Sequence, residues 1–232
     1  MNQQLLLDLL PPATPTFDNY LAGPNADAVA ALRESGAGRG IYLWGAPGTG
    51  RSHLLRAAAA DRPGACFLSL AEPGAGARLM ELATAADNAI PLYAVDGLSQ
   101  ADEAAQAALF ALYNRWREAG GSADGFMLVV AGDLSPRAMP IREDLRTRLG
   151  WDLVFRLEHL SDTDRSTALQ ARAAERGLRL APEVLQWMLT HLSRDMRQLG
   201  SLVDALDRYS LEQHRAITLP LLKHLLARQP ED

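Results

Sequence analysis

The chain has 232 residues, 48% apolar and 22% charged, with 23 basic against 28 acidic side chains and a formal charge of −5. These figures fit a soluble globular protein of one large domain, or a domain with a small appendage. They exclude a protein that lives on a nucleic-acid backbone, which needs a basic balance or face; the lone Cys66 excludes an internal disulfide and a multi-cysteine metal site.

Residues 1–16 carry three prolines and a leucine cluster, the pattern of an extended tail and linker. No apolar run nears the ~20 residues of a membrane span, and no basic region precedes an apolar run, so a cytoplasmic protein without a secretory signal is expected. A helix is predicted over 25–34, with Asn25 as N-cap and Gly36-Ala37-Gly38 ending it. Strands are predicted at 41–44, 65–70, 90–95, 126–131 and 153–155, with helices over 52–59, 77–86 and 101–119 between them. Strands alternating with helices imply a parallel sheet covered on both faces. After residue 160 the strands stop; three or four helices follow, with Ser161 opening one, Pro182 near the start of another, and caps at Ser193 and Thr218. The expected division is a tail over 1–12, an α/β domain over 13–160 and an all-α domain over 161–232.

Gly45-Ala46-Pro47-Gly48-Thr49-Gly50-Arg51-Ser52 follows the first strand and opens a helix. The glycines stand at the spacing of the phosphate-binding loop G-x-x-x-x-G-K-[ST], with Arg51 in place of lysine. Strand, loop and helix N-terminus aim backbone N–H groups and the positive end of a helix dipole at one spot, which suits a diphosphate. All basic residues but Lys223 are arginine, so Arg51 is either a drifted lysine or a designed change. A forked, planar guanidinium grips phosphate differently from a compact ammonium. Asp96 ends a buried strand downstream of the loop, where an acid and the loop hydroxyl of Ser52 hold Mg²⁺; its alternative role is to cap the turn before Gly97. Gly97 occupies the place where many such ATPases carry the acid that polarises the attacking water. Binding is therefore expected to outlast hydrolysis, leaving little or no ATPase of the chain's own.

Thr16-Phe17-Asp18-Asn19-Tyr20-Leu21-Ala22-Gly23-Pro24-Asn25 resembles the segment that opens the ATPase domain of the bacterial replication initiator DnaA. The resemblance continues in order through the phosphate loop, Val95-Asp96, Ala131-Gly132-Asp133 and Leu145-Arg146-Thr147-Arg148-Leu149-Gly150-Trp151, and covers about 13–228. It implies the AAA+ fold: a nucleotide-binding domain with a five-stranded parallel sheet and helices on both faces, then a helical lid. The chain stops short of the DNA-binding helix-turn-helix of DnaA and does not carry its N-terminal interaction domain, so DNA is expected to be reached only indirectly.

Gln4-Leu5-Leu6-Leu7-Asp8-Leu9 fits Q-L-x-L-x-L, which resembles the peptide that docks in the apolar groove of the replicative sliding clamp. Gln4, Leu5, Leu7 and Leu9 are the expected clamp-binding residues, the alternative being a fraying amphipathic turn. A clamp-like tail on a DnaA-like domain resembles the family of regulatory inactivators of DnaA, which also tolerates arginine at the loop lysine position. That resemblance implies a bound nucleotide, ADP or another, with Mg²⁺ optional, and partners in DnaA and the DNA polymerase sliding clamp (beta subunit). It makes Arg148 an arginine finger that completes DnaA's site in trans, Arg197 a lid arginine reading the phosphates, and Asp133 a first sensor. Phe17, Tyr20, Leu21 and Pro47 are candidates for the base pocket; His53, next to the loop, is either a cofactor contact or an incidental helix residue, and the five histidines show no metal spacing. Alternatives of other classes are a self-standing AAA+ ATPase such as a helicase loader, and an adaptor for which nucleotide is only structural. Self-association stays open.

Overall fold

The apolar runs before Leu160 become strands in the computed structural model, which describes residues 14–85, 89–122, 124–192, 196–213 and 215–227. β1 (Gly40–Trp44), β2 (Cys66–Ser69), β3 (Leu92–Asp96), β4 (Met127–Gly132) and β5 (Leu153–Arg156) form one parallel sheet in the order β2-β3-β4-β1-β5. β1 is flanked on both sides, with Tyr42 opposite Val130 on β4 and Val154 on β5.

Successive side chains of a strand face opposite ways, so each central strand feeds two cores. Ile41, Leu43, Leu92, Ala94, Met127 and Val129 pack with α1 (Ala26–Glu34) and α2 (Arg51–Ala60). Tyr42, Tyr93, Val95, Leu128 and Val130 pack with α3 (Ala75–Thr84), α4 (Glu103–Ala119) and α5 (Glu143–Arg148). Strands apolar on both faces are the mark of a sheet buried between helical layers. In α4 the buried positions Ala105, Ala108, Leu109, Leu112, Tyr113 and Trp116 trace one helical face. Asp102 caps that helix, accepting from the Ala105 N–H at 2.7 Å.

One expected cap is redirected. Asn25 precedes α1, but its side chain makes no capping bond to that helix. The amide is buried and pairs instead with a residue far along the chain. Its Oδ1 accepts from the Glu158 N–H at 2.8 Å, and its Nδ2 donates to the Glu158 carbonyl at 3.0 Å and to the Tyr20 hydroxyl at 3.1 Å. The short 3-10 turn Gly23–Asn25 already leads the backbone into the helix, which frees the amide to staple the exit of β5.

The chain divides into two compact units, the α/β unit Pro15–His159 and the helices from Leu160 onward. The second contains α6 (Asp162–Glu175), α7 (Pro182–His191), α8 (Met196–Gln213) and α9 (Leu219–Ala227) around Leu169, Val184, Met188, Val203, Leu206 and Leu222. Ser161 and Asp164 form a complete capping box on α6. Pro182 takes the first turn of α7, and Thr218 Oγ1 accepts from the Leu221 N–H at 3.5 Å in front of α9. The expected cap at Ser193 lies outside the described residues, as does the tail with Gln4, Leu5, Leu7 and Leu9. No helix among the described residues is long and apolar enough to cross a membrane.

Candidate nucleotide-binding site

Ligands of open parallel sheets gather beyond the carboxyl ends of the strands, and β1 delivers its chain there at Trp44. The loop then turns on Gly50, whose φ of 94° is left-handed and which leads directly into α2. A Cβ at Gly50 would stand 2.5 Å from Tyr20 Cε2, so the position needs glycine for its conformation and for its neighbour. Thr49, 6% exposed, turns its hydroxyl inward to the Ala46 carbonyl at 2.9 Å. Tyr20 donates its hydroxyl to the Thr49 carbonyl at 3.1 Å from the other side. These bonds hold the loop from beneath while Ala46, Pro47 and Gly48 stay exposed. Ser52 is half-buried in the first turn of α2, and His159 lies against the loop, 3.5 Å from where a Gly48 Cβ would be. An open loop crest over a helix N-terminus, with cation and hydroxyl adjacent, fits a nucleoside diphosphate.

Arg51 does not point into solvent. Its guanidinium is paired with Asp133, the first residue beyond β4. Burial raises the Asp133 carboxyl, but hydrogen bonds from Ser99 and Arg51 outweigh it and hold the group below the usual carboxylate range. The Asp133 N–H also donates to Ser99 Oγ at 3.2 Å. The next residue is anchored too: Tyr42 donates its hydroxyl to the Leu134 carbonyl at 2.9 Å, and burial pushes that phenol well above its ordinary value. Asp133 is thus a fixed charge on a fixed turn.

Asp96 ends β3 half-buried, and its Oδ1 accepts from the Gly97 N–H at 2.9 Å. The carboxylate therefore caps the turn while standing at the strand end, where it and Ser52 would hold Mg²⁺. Among the described residues no cluster of three or more His, Cys, Asp or Glu is placed to hold a metal ion, so such an ion would depend on phosphate oxygens as well. Gly97 has φ 78° and caps the 3-10 turn Leu98–Gln100. The missing acid is therefore more than a changed letter: the backbone itself is set for glycine.

The residues named for the base separate. Phe17 is buried in the core with α1 and α2, with the Arg33 guanidinium 5.0 Å above its ring. Leu21 is 36% exposed. Tyr20 meets the loop directly, and burial raises its phenol to about 12, partly offset by the bond from Asn25. His53 Nε2 lies 2.8 Å from the Thr16 carbonyl and its ring is 5.3 Å from that of Tyr20, tying the opening segment to α2. Arg197 falls in the first turn of α8, and its side chain lies outside the described residues.

Arg148 is the last residue of α5, and its guanidinium lies 4.2 Å above the Phe110 ring of α4. It lines a small crevice with Ile41, Tyr42, Tyr113, Val130 and Asp152, between the sheet and α4. Beyond it Trp151 is 56% exposed, with the Arg117 guanidinium 4.9 Å from its ring. Sequence reasoning did not single out Ser99, His159 or Phe110. Ser99 follows Asp96 closely enough to have been suspected; Phe110 is one of many apolar residues on a long helix and carries no signal of its own.

Residues 162–226 match the family model described as Hda, lid domain. The fold is shared with solved structures. Domain III of the Thermotoga maritima replication initiation protein DnaA is 17% identical, with 94% of this chain and 98% of that chain covered and a TM-score of 0.69. AMPPCP-bound DnaA from Aquifex aeolicus is 19% identical over 86% and 67% of the two chains, at TM-score 0.66. The Thermotoga maritima RuvB Holliday junction branch migration motor is 14% identical over 91% and 71%, also at 0.66. Over residues 162–226 the chain is similar to the lid domain of Hda, and with its five-stranded parallel sheet it shares the fold of DnaA domain III.

Proposed function

We propose that this protein is a nucleotide-bound negative regulator of replication initiation. It docks on the DNA sliding clamp through its N-terminal tail and stimulates hydrolysis of DnaA-bound ATP in trans. What supports this reading is the make-up of the loop, together with an arginine held apart from it. The phosphate loop holds a cation tied to Asp133 and is followed by a strand-end glycine, an arrangement suited to binding rather than turnover. Arg148, half-buried over the Phe110 ring, is not among the residues gathered at the loop and is the group that would meet a second molecule. An arginine supplied across an interface stabilises charge developing on a neighbour's γ-phosphate, worth ~10³–10⁵ in rate in other phosphoryl-transfer systems.

Gly45, Gly48, Gly50, Arg51 and Ser52 would hold the phosphates of ADP, with Asp96 and Ser52 available to Mg²⁺. Bound nucleotide would supply order by fixing the loop. Asp96 and Asp133 frame the strand ends, and Tyr20 braces the loop. Phe110 stacks under Arg148 and limits its rotamers, so less freedom is lost when a partner is engaged. AMPPCP binding by a DnaA of the same fold supports a nucleotide here.

The test is DnaA ATP hydrolysis with the purified chain, DNA-loaded clamp and ADP. Three forms are compared: wild type, Arg148→Ala, and a chain lacking residues 1–10. Wild type should stimulate strongly; Arg148→Ala should retain nucleotide and lose stimulation; the truncated chain should lose it only where the clamp is required. Stimulation surviving Arg148→Ala would remove the finger assignment. ATP turnover by this chain alone, with no effect on DnaA, would identify a self-standing ATPase instead.

A further inference from the structure

Trp151 is the one aromatic ring among the described residues that stands out in solvent. It is also held still. Its N–H donates to the Arg148 carbonyl at 3.1 Å, closing the turn that ends α5. The Tyr113 ring stands edge-on to it, 6.5 Å between centroids and 74° between planes, and Arg117 of α4 covers it from another side. A single exposed apolar residue is ordinary; its company here is not. Trp, Tyr and Arg are the residue types in which the binding energy of protein interfaces concentrates. We propose that Trp151 and Arg117 form the anchor by which this chain grips the molecule that Arg148 serves. An apolar slot on that molecule takes the indole, and a carboxylate at its rim takes the Arg117 guanidinium. This rests on the reading of Arg148 as an arginine supplied in trans and separates grip from chemistry on one surface.

Charge and proximity both support that occupant. Nearby Arg39 and Arg142 are matched by Asp152 and Asp144. No carboxylate among the described residues forms an ion pair with Arg117 or Arg148, so both keep their charge for an acid brought from outside. Proximity follows from the backbone: one hydrogen bond joins Trp151 to Arg148, and a surface that closes on the second must cover the first. The indole has few rotamers to lose, and Tyr113 and Arg117 already restrict it, so ordering costs little on association. Covering the ring also removes water from the Arg117–Trp151 contact, which strengthens a cation–π pair.

The experiment varies the concentration of ATP-bound DnaA over a fixed amount of chain on DNA-loaded clamp with ADP, and reads KM and kcat separately. Wild type, Trp151→Ala, Trp151→Phe and Arg117→Ala are compared, each checked for folding by its melting curve. Trp151→Ala should raise KM ~30-fold or more and leave kcat unchanged. Trp151→Phe should recover part of that loss, and Arg117→Ala should raise KM by a smaller factor. Arg148→Ala should instead lower kcat. If Trp151→Ala does not fold, Trp151→Phe and Arg117→Ala decide. A folded Trp151→Ala with the wild-type KM overturns the anchor and leaves the trans reading standing. A fall in kcat alone also overturns it, since Trp151 would then act only by supporting Arg148. Wild type that does not stimulate DnaA removes the trans reading and the proposal with it.

Discussion

Asn25→Ala isolates the staple that joins the opening of the α/β unit to the exit of β5. The wild-type amide is 3% exposed and makes three hydrogen bonds, two to the backbone of Glu158 and one to Tyr20. Each neutral bond is worth about 1 kcal/mol net, and a partner left buried and unpaired adds to the loss. Glu158 itself is exposed, so water can reach part of what is abandoned. The expected cost is therefore about 2–3 kcal/mol, or roughly 4–12 °C in Tm for a chain of this size. Urea unfolding by tryptophan fluorescence in a Trp187→Phe background measures it, because Trp44, Trp116 and Trp151 all belong to the α/β unit. Asn25→Asp separates the staple from an ordinary helix cap. Aspartate caps as well as asparagine but cannot donate to Glu158 or Tyr20, so it too should lose at least 2 kcal/mol. A neutral Asn25→Asp, or a loss below about 0.5 kcal/mol for Asn25→Ala, would refute the staple.

Gly97→Glu, the substitution that returns an acid to the strand end, should not create an ATPase. The left-handed backbone at φ 78° costs the new side chain about 1–2 kcal/mol, and steady-state turnover should stay at the wild-type level. A clear rise in turnover would count against the reading of the site. Asp133 gives a pH signature. Its carboxyl is depressed in the folded chain, so its contribution is complete above the unfolded value of about 4 and is lost as pH falls through the folded value. The urea midpoints of wild type and Asp133→Asn should differ by a constant amount from pH 5 to 7 and converge below about pH 4; divergence on acidification would be the wrong sign. In the tail, Gln4→Ala with Leu9→Ala should abolish clamp capture and leave nucleotide affinity unchanged, read by surface plasmon resonance and by calorimetry.

The strands were legible because a sheet buried on both faces demands unbroken apolar runs, and Phe126 through Ala131 satisfies that with no polar interruption. The glycine loop was legible because its spacing encodes backbone geometry. α5 was not: Glu143–Arg148 is too short to show a period, and its two acids and two arginines read equally well as a loop. Asn25 was read as a cap because caps are local, whereas its true partner lies 133 residues away. The same limit applies to Arg51 and Asp133. Each was placed near the phosphates separately, but nothing in either segment says that one neutralises the other. His53 shows the complementary case, a polar residue beside a loop that spends its ring nitrogen on the Thr16 carbonyl.

The pairing of Asn25 with Glu158 also means that the α/β unit admits and releases its chain at one corner. A module with adjoining ends can be spliced into, or cut out of, a longer polypeptide at small loop-closure cost. Joining those ends and reopening the chain at the exposed pair Gly121-Ser122 would give a circular permutant with the same sheet order. Segments flanking such a module can be exchanged with its phosphate loop left intact, because no strand has to be re-threaded.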